Sequence, residues 1–216
     1  ISHGVAALEY DLAKEINGQA VATEIARHEL YGCTGAEMVQ EMKPYHIDFP
    51  NVKNNCLRFE VSPSIEESAT FTDADWAELG NDFMQRMGLA NHQYIIIRHS
   101  GTESKKEQAH LHILANRVSL SGELYRDNWI GKKATEAANA IAKERNFVQS
   151  QDIGKANKAE IKEAMDGVLK KMQGFDLTKF KEELGRRGFK VREARASTGK
   201  LNGYYVTARS GTEYKA

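Results

Sequence analysis

The sequence predicts a mixed α/β fold, because segments with helical start and stop signals alternate with short apolar segments typical of strands. The chain has 216 residues, of which 41% are hydrophobic and 28% are charged. This length suits one domain, or one domain with a small appendage, with a substantial core. The same balance, with only three prolines, excludes a disordered, collagen-like or repeat-array chain.

The first half of the sequence alternates helix and strand signals. Thr34 and Glu37 have the spacing of a capping box, and Thr72 with Asp75 opens a further helix that Gly88 ends. Strand signals are apolar runs such as Tyr-Ile-Ile-Ile or alternation of apolar and polar residues. The elements predicted up to residue 118 are helices 4–15, 34–43 and 72–87 and strands 55–62, 92–99 and 109–118.

The second half is predicted to be mainly helical and to end in a hairpin. An alanine-rich helix is followed by a polar stretch, 149–157, which is the best candidate for a linker. We therefore expect a main domain at 1–150 and a smaller part at 151–216. The elements predicted there are helices 127–146, 155–172 and 176–187 and strands 189–195 and 203–209.

The charges are unevenly distributed along a chain whose formal net charge is zero. Residues 1–97 carry 6 basic against 15 acidic residues, whereas residues 131–200 carry 17 basic against 10 acidic ones. A basic C-terminal part is compatible with a polyanionic substrate, although lysine-rich solvated helices produce the same count.

Targeting and cysteine signals are few. The apolar runs are far shorter than the roughly 18 residues that span a bilayer, and no signal peptide opens the chain, so we expect a cytoplasmic protein without membrane insertion. Cys33 and Cys56 have no CxxC partner. They indicate neither a disulfide framework nor a zinc knuckle, and we expect both to be buried apolar residues.

The most informative segment contains three histidines. His110 and His112 lie two apart on a predicted strand, so their side chains share a face, about 6.6 Å apart at the Cα atoms. His99 ends the preceding strand and can join them if the two strands are antiparallel neighbours. Three imidazoles suit Mn, Co, Ni or Zn. An isolated His-x-His is also typical of a polar sheet face or of hydrogen-bonded core histidines. The presence of a third histidine, His99, at the end of the preceding strand favours a metal site instead.

Here the chain resembles a known family, the relaxases or mobilization nucleases of conjugative and mobilizable elements. The resemblance lies in the apolar strand ending in His99, and in the run from His110 to Val118, which reads His-Leu-His-Ile-Leu-Ala-Asn-Arg-Val. It implies an HUH-nuclease-like sandwich in which a central, mostly antiparallel sheet is flanked by helices. The segment after the nuclease core also resembles the family and implies a C-terminal helix plus β-hairpin.

The resemblance implies a set of residues around the metal. His99, His110 and His112 would bind a divalent ion, with Mn or Mg expected in function and Zn, Ni or Co also compatible. Many relatives carry an Asp where this chain has Gly101. The candidates to replace that carboxylate are Glu103 and Glu107. The outer residues of the site are expected to be Asn116 and Glu103.

The resemblance also implies a tyrosine nucleophile. Tyr10, in Ala-Leu-Glu-Tyr-Asp-Leu, matches the family's N-terminal motif, whereas the residues alone predict only an aromatic side chain on a helix. The implied reaction forms a 5′-phosphotyrosyl DNA intermediate. The fallback nucleophiles are Tyr31, Tyr45 and His3, and the proton acceptor stays open between Glu9, Asp11 and a histidine.

The implied partner is single-stranded DNA from an origin of transfer, together with accessory mobilization proteins and a coupling protein. Three alternatives remain open: a metal-dependent single-strand nuclease that uses water, a rolling-circle replication initiator, and a non-catalytic module that binds origin DNA. The residues expected to contact DNA are Arg117, Arg186, Arg187, Lys190, Arg192 and Lys200.

Overall fold

The computed structural model describes residues 2–101, 108–209 and 211–215. The chain divides into two compact units, Ile1–Phe147 and Val148–Ala216. Among the described residues, no helix is long and apolar enough to cross a membrane. The division into a main domain at 1–150 and a smaller part at 151–216 stays a prediction.

The first unit is built on an antiparallel sheet of four strands that follows a short hairpin. The hairpin turns at Asn17 and Gly18, both of which have positive φ angles, the conformation that a two-residue turn requires. The spatial order of the four strands is β3-β5-β6-β4. The strands of this unit are β1 (Glu15–Ile16), β2 (Gln19–Ala20), β3 (Ala22–His28), β4 (Cys56–Val61), β5 (His92–His99) and β6 (His110–Ser119).

Helices cover both faces of this sheet. On one face Leu8 and Met38 pack against Ile95 and Ile97, and on the other Trp76 and its neighbours pack against the alternate side chains of the same strands. The two central strands are therefore buried on both sides, which explains their nearly continuous apolar sequence. The helices are α1 (Gly4–Leu12), α2 (Gly35–Met42), α3 (Ile65–Ser68), α4 (Asp73–Arg86) and α5 (Ile130–Glu144), with a 3₁₀ turn at Lys43–His46.

The second unit combines two helices with a three-stranded antiparallel sheet of order β7-β8-β9. Its own small core contains Phe180, Leu184, Phe189 and Val206, all at most 2% exposed. The elements are α6 (Ser150–Leu169), α7 (Leu177–Arg186), β7 (Lys190–Arg195), β8 (Leu201–Thr207) and β9 (Glu213–Lys215).

The structure confirms the fold class and corrects several local predictions. Both capping boxes form, and β5 has the predicted bounds. The predicted linker 149–157 is wrong, because α6 begins at Ser150; its polar residues form the exposed side of a helix. The strand β3 was not predicted, since its half-exposed residues lack an apolar run. Cys56 is buried as expected, but Cys33 is exposed on the loop before α2.

Candidate active site

Three histidines meet at one end of the central sheet. His99, the last residue of β5, is the cross-strand partner of His110, the first residue of β6, and His112 follows on the same face. Their side chains are buried, with 2%, 4% and 7% of their surfaces exposed. One ring nitrogen of each lies within 4.8 Å of the others. The strand register thus brings the three predicted ligands together.

Two backbone carbonyls determine which ring nitrogens are available. His99 Nε2 lies 2.7 Å from the carbonyl oxygen of Asp11, and His110 Nδ1 lies 3.1 Å from that of Gln108. A carbonyl only accepts hydrogen bonds, so these two nitrogens carry the protons. His99 Nδ1 and His110 Nε2 are therefore left with lone pairs that can bind a metal ion.

The third histidine faces a buried ion pair. Asp11, only 1% exposed, accepts hydrogen bonds of 2.9 and 2.6 Å from Arg58. His112 Nδ1 lies 3.1 Å from Arg58 Nη2 and 3.9 Å from Asp11 Oδ1. Asp11 thus gives the site a buried carboxylate from α1. Glu103, the residue suggested from the sequence for that role, lies outside the described residues.

Burial keeps the imidazoles of His112 and His99 neutral. It lowers the pKa of His112 to about 4; the charge of Asp11 opposes that shift, whereas His99, Arg58 and His110 add to it. Burial likewise lowers the pKa of His99. Neutral imidazole is the form that binds metals, so His99 is ready to act as a ligand at neutral pH. Arginine only donates hydrogen bonds, so Arg58 leaves the proton of His112 on Nε2. Binding of an ion through His112 Nε2 therefore requires that proton to move to Nδ1, on the side of Asp11.

We expect the metal-free protein to lose stability as the pH falls from 7 to 5. An unfolded histidine has a pKa near 6.5. The unfolded chain therefore takes up a proton that buried His112, with a pKa of about 4, does not accept. Because the folded-state pKa is the lower one, stability is retained above pH 6.5 and lost below it. His112 alone should reduce the free energy of unfolding by about 2 kcal/mol at pH 5.

Urea unfolding in the presence of EDTA at several pH values measures this effect. His112→Gln is the control, because glutamine stays neutral and its unfolding free energy should fall less between pH 7 and pH 5. Equal losses in both proteins would contradict the prediction.

The donor atoms fit one divalent transition-metal ion. Bonds of about 2.0 to 2.1 Å allow two nitrogen ligands of one ion to lie at most about 4.2 Å apart. His110 Nε2 and His112 Nε2 are 3.1 Å apart, and the full set lies within 4.8 Å. Three nitrogens bonded to one ion in tetrahedral or octahedral geometry lie about 3.0 to 3.4 Å apart. The nitrogen that is up to 4.8 Å from its partners would therefore have to move inward by roughly 1.5 Å, which a ring rotation can supply.

Tyr10 lies on α1 directly before Asp11, the residue whose backbone contacts His99. Its side chain is 56% exposed. Its Oη accepts a 2.6 Å hydrogen bond from Lys14 Nζ. Hydrogen bonds to Asp11 chiefly raise the pKa of Arg58, and the charge of an ionised Tyr10 adds to that rise. The hydroxyl thus belongs to the same helix as the Asp11 carboxylate and lies beside the lysine that follows α1.

The fallback nucleophiles lie elsewhere in the first unit. Tyr31 is 76% exposed, and its hydroxyl donates a hydrogen bond to Glu29. Tyr45 lies on the 3₁₀ turn after α2. His3 precedes α1, at the opposite end of that helix from Asp11, and lines a cavity with His46.

Asn116 is not brought to the histidine cluster. It lies four residues beyond His112 on β6, roughly 13 Å along the strand. Its amide oxygen accepts a 2.6 Å hydrogen bond from His46 Nε2, and its amide nitrogen donates to Gln93 and to the carbonyl of Met42. Through these hydrogen bonds Asn116 links the sheet to the end of α2 and to the 3₁₀ turn.

Arg117, a predicted DNA contact, is engaged within the first unit. Its guanidinium donates a 2.7 Å bond to the carboxylate of Asp127 and further bonds to the carbonyls of Asn54 and Tyr125. It therefore joins the loop before β4 to the segment before α5.

Two of the predicted DNA-binding arginines in the second unit form ion pairs on its surface. Arg186 pairs with Glu183. Arg192 pairs with Glu213 at 2.7 Å and lies 4.2 Å from the centre of the Tyr205 ring. Exposed pairs of this kind are weak, so a phosphate can compete for either arginine.

The other candidates of that unit differ in accessibility. Arg187 packs against α6, where its guanidinium approaches the carbonyl of Ala164 at 3.4 Å and lies over Gly167. Lys190 and Lys200 are exposed. The lysines are therefore better placed than Arg187 to meet a ligand from solvent.

Arg58 and Lys14 were missed by sequence analysis. Arg58 belongs to a predicted strand. Only the structure shows that it lies opposite Leu114, so that its guanidinium reaches the diagonal neighbour His112 on the same face. Lys14 did carry a signal, because it follows Tyr10 by four residues within a predicted helix, the spacing at which side chains meet.

Comparison with models of known protein families identifies the family of this chain. The family model described as "Relaxase: MobA/VirD2-like, nuclease domain" matches residues 10–147, more than half of the chain. The matched range includes the three histidines, Asp11, Arg58 and Tyr10. No curated protein and no solved structure matches the chain.

Proposed function

The chain belongs to the MobA/VirD2-like relaxases, which are DNA-nicking enzymes, and from this premise we propose that Tyr10 cuts one strand at an origin of transfer. In this proposal the cut is a transesterification that leaves the 5′ end covalently bound to Tyr10. The intermediate starts the mobilization of the element that encodes the chain. We propose that the protein acts in the cytoplasm.

The observation that carries this proposal is the link that Asp11 makes between Tyr10 and the histidines. The Asp11 carbonyl contacts His99 Nε2 at 2.7 Å, and its carboxylate lies 3.9 Å from His112 Nδ1. Tyr10 is the preceding residue on the same helix. A tyrosine hydroxyl and a metal-ready cluster are the two groups that phosphodiester transesterification needs.

His99, His110 and His112 would hold the ion. Nitrogen donors favour Mn, Co, Ni or Zn over Mg, which prefers oxygen ligands. When bound, the ion would supply Lewis-acid stabilisation of the negative charge that develops on a phosphate oxygen. The buried Asp11–Arg58 pair restrains His112, and the Asp11 and Gln108 carbonyls restrain the other two rings.

The chemical step uses Tyr10 Oη as nucleophile. It forms a bond to phosphorus as the bond to the 3′ oxygen breaks, so the number of phosphate ester bonds is unchanged. The strand can be rejoined by the reverse reaction without a nucleotide cofactor. The exposure of Tyr10 suits a macromolecular substrate that approaches from solvent.

Single-stranded DNA would be held along basic side chains of the second unit, with Arg186, Lys190, Arg192 and Lys200 as the accessible members of the predicted set. Accessory mobilization proteins and a coupling protein are further proposed partners. Arg117 and Arg187 already have contacts within the protein, which makes them weaker candidates than the exposed residues.

We expect the combined Arg186→Gln and Lys190→Gln variant to bind single-stranded DNA more weakly and with less salt dependence. Each lost phosphate contact lowers the log–log salt slope by about 0.7, so the pair should lower it by about 1.4. Fluorescence anisotropy across a salt series measures the slope. The matched control is the combined Lys155→Gln and Lys158→Gln variant, whose two lysines lie on α6 outside the proposed contact set. An unchanged slope in the Arg186→Gln and Lys190→Gln variant would show that Arg186 and Lys190 do not contact phosphates.

The proposed function is tested with overlapping single-stranded oligonucleotides that tile both strands of the DNA flanking the gene for this chain. They are labelled, incubated with the protein and Mn²⁺, and separated by denaturing electrophoresis. A labelled protein–DNA adduct supports the proposal. Cleavage without an adduct supports the water-using nuclease, and tight binding without cleavage supports the non-catalytic module.

A further inference from the structure

Lys14 places a cation at the hydroxyl of Tyr10. Its Nζ donates a 2.6 Å hydrogen bond to Tyr10 Oη and lies 4.8 Å from the centre of the ring. This distance is at the short end for a nitrogen donor, as is typical of charge-assisted hydrogen bonds. The lysine thus contacts the very atom that the proposed function makes the nucleophile.

The backbone of Lys14 is tied to the strand that carries the first histidine. Its carbonyl accepts a 3.0 Å hydrogen bond from the amide of Val21, whose own carbonyl accepts a 2.9 Å bond from the amide of Ser100. Ser100 directly follows His99. Burial is the main cause of the lowered pKa of His99, and the charge of Lys14 contributes to it. Lys14 therefore lies where the end of α1 meets the histidine cluster.

The acidic residues on either side of Tyr10 are engaged elsewhere. Glu9 accepts a 3.0 Å hydrogen bond from the amide of Ala36 at the start of α2. Asp11 is held by Arg58. In the part of the chain that the structure describes, the charged side chain hydrogen-bonded to Tyr10 Oη is that of Lys14. An ammonium group has three donors and no acceptor, so it stabilises a phenolate rather than removing a proton.

We propose that Lys14 is a catalytic residue that stabilises the phenolate of Tyr10 in both cleavage and rejoining. The inference rests on the proposed function, because it takes Tyr10 as the nucleophile. Charge-assisted hydrogen bonds are about twice as strong as neutral ones. The bond to Lys14 is charge-assisted in either state, but only the phenolate also gains the attraction between opposite charges, so the contact is stronger when the oxygen is ionised.

The steps balance without any further reactant. In cleavage, the phenol gives its proton to water, the phenolate oxygen bonds to phosphorus, and the 3′ oxygen leaves and takes a proton from water. In rejoining, the 3′ hydroxyl gives its proton to water and attacks phosphorus, and Tyr10 leaves as a phenolate beside the same ammonium. A group that stabilises the phenolate accelerates both directions.

The experiment measures single-turnover adduct formation by the full chain with Mn²⁺ and the oligonucleotide that it cleaves. Lys14→Met, which keeps the length of the side chain without its charge, should slow the reaction about 100-fold, the cost of removing one donor that stabilises an oxyanion. Lys14→Arg should retain most of the rate. Lys43→Met is the control, since Lys43 is an exposed lysine that, like Lys14, donates a hydrogen bond to a neutral side chain, that of Gln40.

A second readout separates catalysis from structure. Difluorotyrosine placed at position 10 ionises more readily than tyrosine and depends less on a neighbouring cation. It should recover most of the lost rate in Lys14→Met and change the rate of the otherwise unaltered protein much less. Rejoining by the isolated adduct should slow by the same factor as cleavage, leaving the ratio of cleaved to joined DNA unchanged.

The outcomes distinguish this inference from the proposed function. If the unaltered protein forms an adduct at Tyr10 and Lys14→Met forms it equally fast, the role of Lys14 is overturned while the function stands. A slow Lys14→Met that difluorotyrosine does not rescue shows a structural role and overturns the inference as well. Absence of any adduct in the unaltered protein, or an adduct at another residue, overturns the assignment of Tyr10 on which the inference rests.

Discussion

Tyr10→Phe is expected to bind metal and DNA normally and to form no covalent adduct. The substitution removes only the hydroxyl that would attack phosphorus. Removing a nucleophile from a covalent catalyst typically costs on the order of 10⁴- to 10⁶-fold in rate, which places the residual reaction below detection on a gel. The measurement is the amount of labelled DNA that stays bound to the protein in denaturant.

The fold should tolerate this change, because the side chain of Tyr10 is 56% exposed. The hydrogen bond that is lost joins the exposed Tyr10 to the half-buried Lys14. Such a bond contributes about 1 kcal/mol or less to stability. Tyr31→Phe is the matched control, since it removes an exposed hydroxyl that donates to Glu29, and it should leave adduct formation unchanged.

Peptide mapping of the trapped adduct decides the assignment of the nucleophile. An adduct on Tyr31, Tyr45 or His3 would show that Tyr10 is not the nucleophile while leaving the reaction class intact. Metal-dependent cleavage at full rate by Tyr10→Phe, with no adduct in either protein, would replace the tyrosine mechanism by attack of water.

The histidine cluster could be predicted from the sequence because its geometry is local and repetitive. Because side chains along a strand alternate between its two faces, His110 and His112 must lie on the same face. Only the pairing of His99 with His110 required a tertiary assumption, and the apolar run before His99 supported it because buried central strands tend to be neighbours.

The ion pair beside His112 could not be predicted in this way. Asp11 and Arg58 lie 47 residues apart, on α1 and β4, and nothing in either segment specifies the other. Their contact depends on which face of the sheet α1 covers and on the register between β4 and β6. Proximity in sequence to His99 favours Glu103, which lies outside the described residues and stays a prediction. Asp11 adds a carboxylate from a different element, which sequence proximity does not indicate.

Asn116 and Arg117 show a second limit of pattern reading. They follow the histidines in an Asn-Arg-Val run, and the resemblance therefore suggested roles in the site and in DNA binding. In the structure Asn116 bonds to His46 and Gln93, and Arg117 bonds to Asp127. A motif shows that a residue type matters at a position, but whether its polar atoms face a ligand or the protein depends on tertiary contacts. Their functional roles stay predictions.

His112→Ala is expected to abolish both metal binding and cleavage. It removes one of only three proposed ligands. Changing a residue that merely orients a ligand typically costs 10- to 100-fold in metal affinity, so loss of the ligand itself should cost more than about 100-fold. Isothermal titration with Mn²⁺ or Co²⁺ measures the affinity, and the tiled oligonucleotides report cleavage.

The rest of the molecule should remain folded in this variant. His112 lies at the end of the sheet, and its removal leaves the hydrogen bonds from Arg58 to Asp11 in place. His92→Gln is the matched control, because His92 is a buried histidine on β5 that bonds to the carbonyl of Asn116, away from the cluster. That variant should bind metal as the unaltered protein does.

The two histidine variants together test whether the cluster is a metal centre or a polar part of the core. A metal site requires that His112→Ala loses affinity while His92→Gln keeps it, since both remove a buried imidazole but only one removes a ligand. If both variants bind Mn²⁺ equally well, the ion is held elsewhere and the cluster is a set of hydrogen-bonded core histidines. If His112→Ala binds no metal yet cleaves at full rate, the histidines bind an ion that the reaction does not need.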